Sequence, residues 1–459
     1  MDNKEIRKRF VDMVGEEGFR DDETITVFTI DGLSPKAVLF PDTPEMVEEI
    51  VMVAATHGLS IIPWGGGTQV DLGAPPRKMD LILHMGHLKG IVEQDHENMS
   101  VTAQAGIRLG ALQESLRGVG PGFFLPLDPP RAQEVTLGGA VATNASGPSR
   151  LRYGSLRDLV LGLEAVIPAE VARDRRARAG GKTVKNVSGY DMSKLYIGSL
   201  GSLGIILEIT CRILPLPEDR ATVVAGFAGN DPAWACTQAV MESRLVPSAI
   251  EVFNGEIASL LHAIVPTSEE QGVLVAVQFE GIGEAITREI KEIEELTNSA
   301  GALSIEIMRG SGEREFWKEL GEVGQAVKKG ATWSVGLKAS VPPSLSSCMC
   351  EHIAEGAQRA GVSFHRLSHA GSGITSAYIP LAKGLYREKE EALIQIAQLL
   401  RERAVEMGGS LTVEYAPPPF KERCDVWGEA GAAFSIMERL KGEFDPGSTI
   451  NPGRFVGGL

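Results

Sequence analysis

Glycine is unevenly spread along this chain. There are 53 in 459 residues, and the excess gathers at 65–67, 106–122, 138–147 and 198–204. The total stands well above the roughly 7 % usual for soluble proteins. Clustered glycine lets the main chain approach a ligand closely or adopt positive φ; it is not the pattern of a flexible linker. Tight turns in a large α/β protein would also use it.

The segments between the clusters alternate in type. Ala37–Phe40, Leu59–Pro63, Leu81–His84 and Ser100–Ala103 read as short strands. Thr43-Pro44-Glu45 opens a helix that runs to about His57, with Thr43 as cap, Pro44 in the first turn and Gly58 as the stop. Ile107–Gly118 is helical, Asp158–Pro168 is apolar and buried, Ser193–Leu200 is helical, and Gly204–Ile213 is a strand closed by Pro215 and Pro217. This prolyl stretch marks the end of a first domain, 1–216. From 217 to 425, strand-like Thr222–Phe227, Gly272–Phe279, Trp333–Ala339 and Thr375–Ile379 alternate with long charged helices at Gly283–Ser299 and Gly384–Met407. That texture predicts an α+β domain with an antiparallel sheet. The tail, 426–459, carries a helix over Ala430–Leu440. No internal repeat is visible.

Composition excludes several functions. The net charge is −15, the wrong sign for a nucleic-acid protein. No apolar run reaches the roughly 18 residues of a membrane span. The amino terminus reads as an amphipathic helix (Ile6, Phe10, Val11, Val14) and not as a signal peptide, so the expected location is the cytoplasm. The five cysteines contain no C-x-x-C, and Cys348 and Cys350 are only two apart, so neither a zinc site nor an iron–sulfur cluster is encoded.

Three motifs carry chemistry. Pro63-Trp64-Gly65-Gly66-Gly67-Thr68 follows a strand, and consecutive glycines let successive N–H groups converge on an anion. It is neither G-x-G-x-x-G nor a Walker A loop. The second motif is Thr136-Leu137-Gly138-Gly139-Ala140-Val141-Ala142-Thr143-Asn144-Ala145-Ser146-Gly147, followed by Arg152-Tyr153-Gly154 and preceded by Pro126-Leu127-Asp128-Pro129. The third is Gly198-Ser199-Leu200-Gly201-Ser202-Leu203-Gly204-Ile205-Ile206, and the chain closes with Asn451-Pro452-Gly453-Arg454. In order and spacing these resemble the FAD-binding domain of the vanillyl-alcohol-oxidase, or p-cresol-methylhydroxylase, type. Within that family the likeness is to FAD subunits of bacterial glycolate oxidase and D-lactate dehydrogenase, to which Gly181–Asp191 is particularly similar.

The resemblance implies an α+β fold with a two-subdomain FAD-binding domain and an α+β cap. It implies that Pro63, Trp64, Gly65, Gly66, Gly67, Thr68, Gln69 and Val70 cradle the FAD pyrophosphate. Thr136, Gly138, Gly139, Thr143, Asn144, Ser146 and Gly147 would line the ribityl chain and flavin, with Pro126 and Tyr153 nearby. Gly201, Gly204 and Ile206 would lie beside the cofactor, and Asn451 would return to it from the tail. Relatives that hold flavin covalently place a His in the pyrophosphate loop; here the loop has none, so FAD is expected to be non-covalent. His84 and His87, just downstream, read as structural.

Hydroxyacid dehydrogenases of this family carry H-x-G-D-G-N-x-H and later E-H-G, in which two His and the Glu hold a divalent metal and the last His is the base. The corresponding stretches here are His369-Ala370-Gly371-Ser372-Gly373-Ile374-Thr375-Ser376 and Glu414-Tyr415-Ala416. His369 and Glu414 match ligand positions. Ser376 stands for the second His and Tyr415 for the base, and a hydroxyl is a poor substitute for imidazole. No catalytic metal is therefore expected; His365 is the one further imidazole that could complete a site. Lys338 lies where relatives place a basic residue for the substrate carboxylate. The resemblance thus implies an oxidoreductase subunit moving hydride from C2 of glycolate, D-lactate or a related 2-hydroxyacid to flavin N5. Electrons would leave through an iron–sulfur partner subunit, with a homologous FAD subunit as a further partner and membrane contact only through the complex. The alternative is a flavin-carrying subunit with a divergent, non-catalytic site. The run Arg173, Arg175, Arg176 and Arg178 is either a solvated loop or a docking site for an acidic partner.

Overall fold

The computed structural model describes residues 3–169, 176–182, 190–263, 272–382 and 384–459. The chain forms two compact units: residues 1–146, 155–216 and 429–459 make the first, and 147–154 with 217–428 make the second.

The first unit holds two sheets. One has four strands in the order Phe19–Arg20, Ala37–Leu39, Leu81–His84, Ile61–Trp64, the last three parallel. The helix Pro44–Thr56 covers it through Val47, Ile50, Val51 and Ala54. This helix begins as its sequence requires: the Thr43 side chain accepts from Met46 N, with Pro44 at the first turn. The other sheet is antiparallel, in the order Ile91–Asp95, Ser100–Gln104, Ile205–Arg212, Val160–Val166, Arg176–Gly180. Helices Leu109–Arg117 and Leu137–Thr143 share its core. The tail returns to this unit: Ile61 N donates to Thr449 O and Asn451 N to Ile61 O, so residues 449–451 extend the edge of the first sheet.

The second unit is one eight-stranded antiparallel sheet. Its order is Ser304–Arg309, Asp219–Phe227, Val273–Gly281, Ala249–Asn254, His365–His369, Ile374–Leu381, Trp333–Ser340, Ser410–Tyr415. Numbered along the chain from 1 to 4 in each half, the strands run 4-1-3-2 and then 2-3-1-4. Each half is a β-α-β-β-α-β unit, and the halves join through their second strands. The repeat that the sequence does not display is therefore present in topology. Backbone layering can be duplicated while side chains diverge, because each strand needs only an apolar inner face. Four strands, Ala249–Asn254, Ser304–Arg309, His365–His369 and Ser410–Tyr415, were absent from the strand pattern read in the sequence. Ala249–Asn254 and His365–His369 lack a clean alternation, whereas Ser304–Arg309 and Ser410–Tyr415 alternate polar and apolar residues and were overlooked.

The unit boundaries also differ from the uninterrupted 1–216, 217–425 and 426–459. Residues 147–154 belong to the second unit because the Arg152 guanidinium donates to Glu280 O and the Tyr153 hydroxyl to Glu280 Oε2 at 2.7 Å, while Leu151 packs in that unit's core. Residues 426–428 stay there because Val426 O accepts from Val413 N and Trp427 packs on that unit's core. Among the described residues no helix is long and apolar enough to cross a membrane.

Candidate functional site

The first unit contains a cleft of about 820 Å³, part of it open to solvent. Its floor is the turn after the Ile61–Trp64 strand. None of the amides of Gly65–Val70 has a hydrogen-bond partner among the described residues. The turn cannot carry side chains at its tightest points: a Cβ on Gly65 would lie 2.1 Å from Thr136 Oγ1, and one on Gly66 2.1 Å from Glu134 O. Gly67 has φ +66°, where a side chain would be strained. Thr136 then caps the Leu137–Thr143 helix by accepting from Gly139 N. Gly138 packs on Ala105, which leaves no room for a Cβ.

A third wall is the 198–204 turn, tied down by Gly198 N to Val141 O and Leu200 N to Ala142 O. The fourth is the tail, where Asn451 donates from Nδ2 to Leu200 O at 2.5 Å. Two buried side-chain oxygens on the lining, Gln69 Oε1 and Asn451 Oδ1, have no partner. An unsatisfied buried acceptor is costly, so these oxygens suit a ligand that brings hydroxyl or N–H donors. Arg454 is buried beside the turn and donates to Val70 O and Leu72 O; burial pulls its pKa down to about 10 against the pull of Asp31 and Asp71.

The second unit presents a polar row on one face of its sheet. Register places Glu251 opposite His369, Leu367 opposite Ser376, and Lys338 between Ser376 and Thr412. Both carboxylate oxygens of the fully buried Glu251 lie 2.7 Å from His369 Nδ1. Lys338 Nζ lies 3.4 Å from Glu414 Oε1, which sits in a bulge of the edge strand. Tyr415, the neighbour of Glu414, packs into the core. Its hydroxyl donates to Gly324 O at 3.3 Å, its ring stacks near Tyr378, and it covers Gly336 in the core. His365 is half-buried, and burial lowers its pKa. Among the described residues no three His, Cys, Asp or Glu side chains are grouped to hold a metal: His369 faces Glu251, and two strands separate it from Glu414.

Comparison with known proteins decides the family. Residues 35–173 match the FAD binding domain family, and residues 216–455, more than half the chain, match the C-terminal domain of FAD linked oxidases. The chain belongs to the FAD-linked oxidases. It is 28 % identical over 468 residues to glycolate oxidase subunit GlcD of Bacillus subtilis (strain 168), covering 99 % of this chain and 97 % of that one. It is also 28 % identical to a D-lactate dehydrogenase of Archaeoglobus fulgidus, covering 96 % of each. Its fold is that of p-cresol methylhydroxylase (TM-score 0.78, 14 % identity, 98 % and 96 % of the two chains) and alkyldihydroxyacetonephosphate synthase (TM-score 0.74, 18 % identity, 98 % and 85 %). This FAD-linked oxidase is thus an FAD-dependent oxidoreductase of the vanillyl-alcohol-oxidase fold.

Of the residues that the sequence assigned to the cofactor, those at 63–70 line the cleft with Thr136, Gly138, Gly139, Thr143, Gly201, Gly204, Ile206 and Asn451. Five do not. Pro126 is buried away from the lining, Asn144 caps the Leu137–Thr143 helix with φ +49°, Ser146 ends that segment, and Gly147 and Tyr153 belong to the second unit. Tyr153 is committed to Glu280, and burial pushes its pKa up. The lining also includes Ile62, Met85, Ala105, Ala142, Leu200, Ile205 and Arg454. Arg454 stood in the quoted closing motif but was given no role, and the apolar residues lack any local signal. His87 pairs with Asp42 at 2.8 Å. His84 packs against Phe28 and Phe40, and burial lowers its pKa to about 4. Arg173, Arg175 and most of Gly181–Asp191 lie outside the described residues. Arg176 is engaged internally by Glu45, Glu48 and Glu164, and Arg178 by Glu164.

Proposed function

We propose that this FAD-linked oxidase is the FAD-binding subunit of a 2-hydroxyacid dehydrogenase complex acting on glycolate, D-lactate or a related acid. The observation that carries the reading is that sixteen residues implied by the resemblance, from four separate stretches of chain, line one cleft. Bound FAD would supply the acceptor for the hydride that leaves substrate C2. The open amides of Gly65–Val70 suit the pyrophosphate, with the Arg454 guanidinium beside them, and Gln69 and Asn451 suit hydroxyl or N–H donors. FAD is held without a covalent link: the loop has no His, and His84 and His87 have other occupations. In the second unit Lys338 meets the substrate carboxylate, and Glu251 orients His369 so that Nε2 is the nitrogen offered to the substrate hydroxyl. No metal is needed. The relative named a glycolate oxidase subunit supports a multi-subunit assembly, in which an iron–sulfur protein removes the electrons and any membrane contact is made by the complex.

A second reading is a flavin-carrying subunit that oxidises nothing itself. It is favoured by the Tyr415 hydroxyl, spent on Gly324 O, and by Ser376 at a ligand position. Anaerobic mixing of the purified chain with D-lactate or glycolate separates the two. Bleaching of the flavin band supports the first reading, and an unchanged spectrum with both acids supports the second. Protein that takes up no FAD sinks both. Flavin remaining on the denatured chain refutes the non-covalent assignment. Elemental analysis showing a stoichiometric metal lost on His369→Ala refutes the metal-free one.

A further inference from the structure

The helix Phe434–Phe444 lies on the surface of the first unit, and only Lys441 of its residues is buried. A lysine 5 % exposed needs a reason. Its ammonium has three donors, and three acceptors meet them: Ser202 O at 2.7 Å, Asp445 Oδ2 at 2.7 Å and Ile450 O at 2.9 Å. Asp445, 1 % exposed, then accepts from Thr449 N and Ile450 N, both at 2.8 Å. The next residue is Asn451, with φ +51°, whose Nδ2 reaches Leu200 O and whose Oδ1 is the unpartnered oxygen on the cleft. Ser202 belongs to the turn that carries Leu200, Gly201 and Gly204 on the same cleft. One buried cation therefore joins two walls of the cleft that lie some 240 residues apart in sequence.

We propose that Lys441 is a positioning residue for the cofactor cleft: its ammonium clasps the tail to the 198–204 turn, and cofactor affinity depends on that clasp. The inference rests on the reading that this cleft takes FAD. A buried ion pair adds little net stability compared with apolar packing, but its hydrogen bonds are directional. Here they set the main chain immediately before Asn451, whose φ is positive. Without the ammonium, the carbonyls of Ser202 and Ile450 lose their shared donor and the two walls are free to part.

The test titrates FAD into apo-protein and follows the quenching of flavin fluorescence, with circular dichroism to confirm folding. Lys441→Met should raise the FAD dissociation constant at least tenfold. The double variant Lys441→Met/Asp445→Leu removes the unpaired buried charge; it should regain thermal stability yet remain at least tenfold weaker for FAD. Recovery of both would show a merely structural role and overturn the proposal, as would affinity within twofold of wild type in the single variant. Hydrogen exchange on wild-type protein gives a reading free of any folding defect. FAD should slow the amides of residues 199–204 and 449–451 together, and unchanged rates at both segments would overturn the clasp. Wild-type protein that binds no FAD would instead refute the cofactor reading.

Discussion

The cleft of the first unit and the polar row of the second are built in opposite ways. The cleft is mostly main chain and small side chains: open amides at 65–70, glycines that no Cβ could replace, and turns pinned by backbone hydrogen bonds. The row is a set of polar side chains delivered by separate strands: Glu251, His369, Ser376, Lys338 and Glu414. A main-chain site tolerates few substitutions at its glycines but accepts varied residues around them. A side-chain site depends on strand register, and any one of its members can change while the sheet persists.

The strongest way to break the comparison is to add a side chain to the cleft. Gly66→Val drives a Cβ into Glu134 O, and FAD binding should fall by at least a hundredfold while the second unit stays folded. Flavin absorbance of the purified variant, with limited proteolysis of the second unit, checks both halves. Normal flavin content would mean that the turn is not the cofactor's floor.

A smaller effect is expected at the other end of the strand that leads into that turn. Asp80 starts the Leu81–His84 strand and receives Ser60 N and Ser60 Oγ from the start of its neighbour. Burial alone would raise its pKa, but Lys36, Lys78 and the Ser60 amide outweigh it and hold the carboxyl at about 2. Because the folded value lies below the unfolded one, the stabilisation is complete above about pH 4 and is lost as pH falls towards 2. Asp80→Asn should therefore cost about 2 kcal/mol at pH 7, with the gap to wild type closing in that acid window. Urea melts at pH 7 and pH 2.5 measure it; a gap that does not change with pH would rule out the charge as its cause.

In the row, Glu251→Gln should leave FAD affinity unchanged and, on the proposed role of His369, slow substrate-dependent flavin bleaching about tenfold. Equal loss of flavin content would show that the row is not separate from the cleft. The smallest effect sharpens the role of Tyr415. Its hydroxyl has a weak 3.3 Å bond to Gly324 O, so Tyr415→Phe should cost under about 1 kcal/mol of stability and change bleaching less than threefold. A tenfold slower rate in that variant would restore Tyr415 to the chemistry.

Most of the cleft was legible before any coordinates, because each wall is a contiguous run whose function lies in its own backbone. Gly65-Gly66-Gly67 must turn whatever lies elsewhere, whereas the Thr136 cap and the Leu137–Thr143 helix emerge only in the structure from a stretch that reads as small and apolar. The row was half legible. His369, Lys338 and Glu414 stood in motif positions, but Glu251 carried no signal at all. It lies 118 residues from His369, and only the pairing of the second strands of two β-α-β-β-α-β halves sets their side chains 2.7 Å apart. The transfer of residues 147–154 to the second unit depends likewise on one buried carboxylate, Glu280, that receives Tyr153. The sequence by itself determined the glycine turn at 65–67 and the Thr43 cap, since these are settled by the steric limits of a few consecutive residues; the contacts those glycines make, Gly65 with Thr136 and Gly66 with Glu134, are tertiary. Which charges meet, which tyrosine is structural and which lysine clasps the tail were decided only by the tertiary fold, because strand order and register bring together residues that no local rule connects.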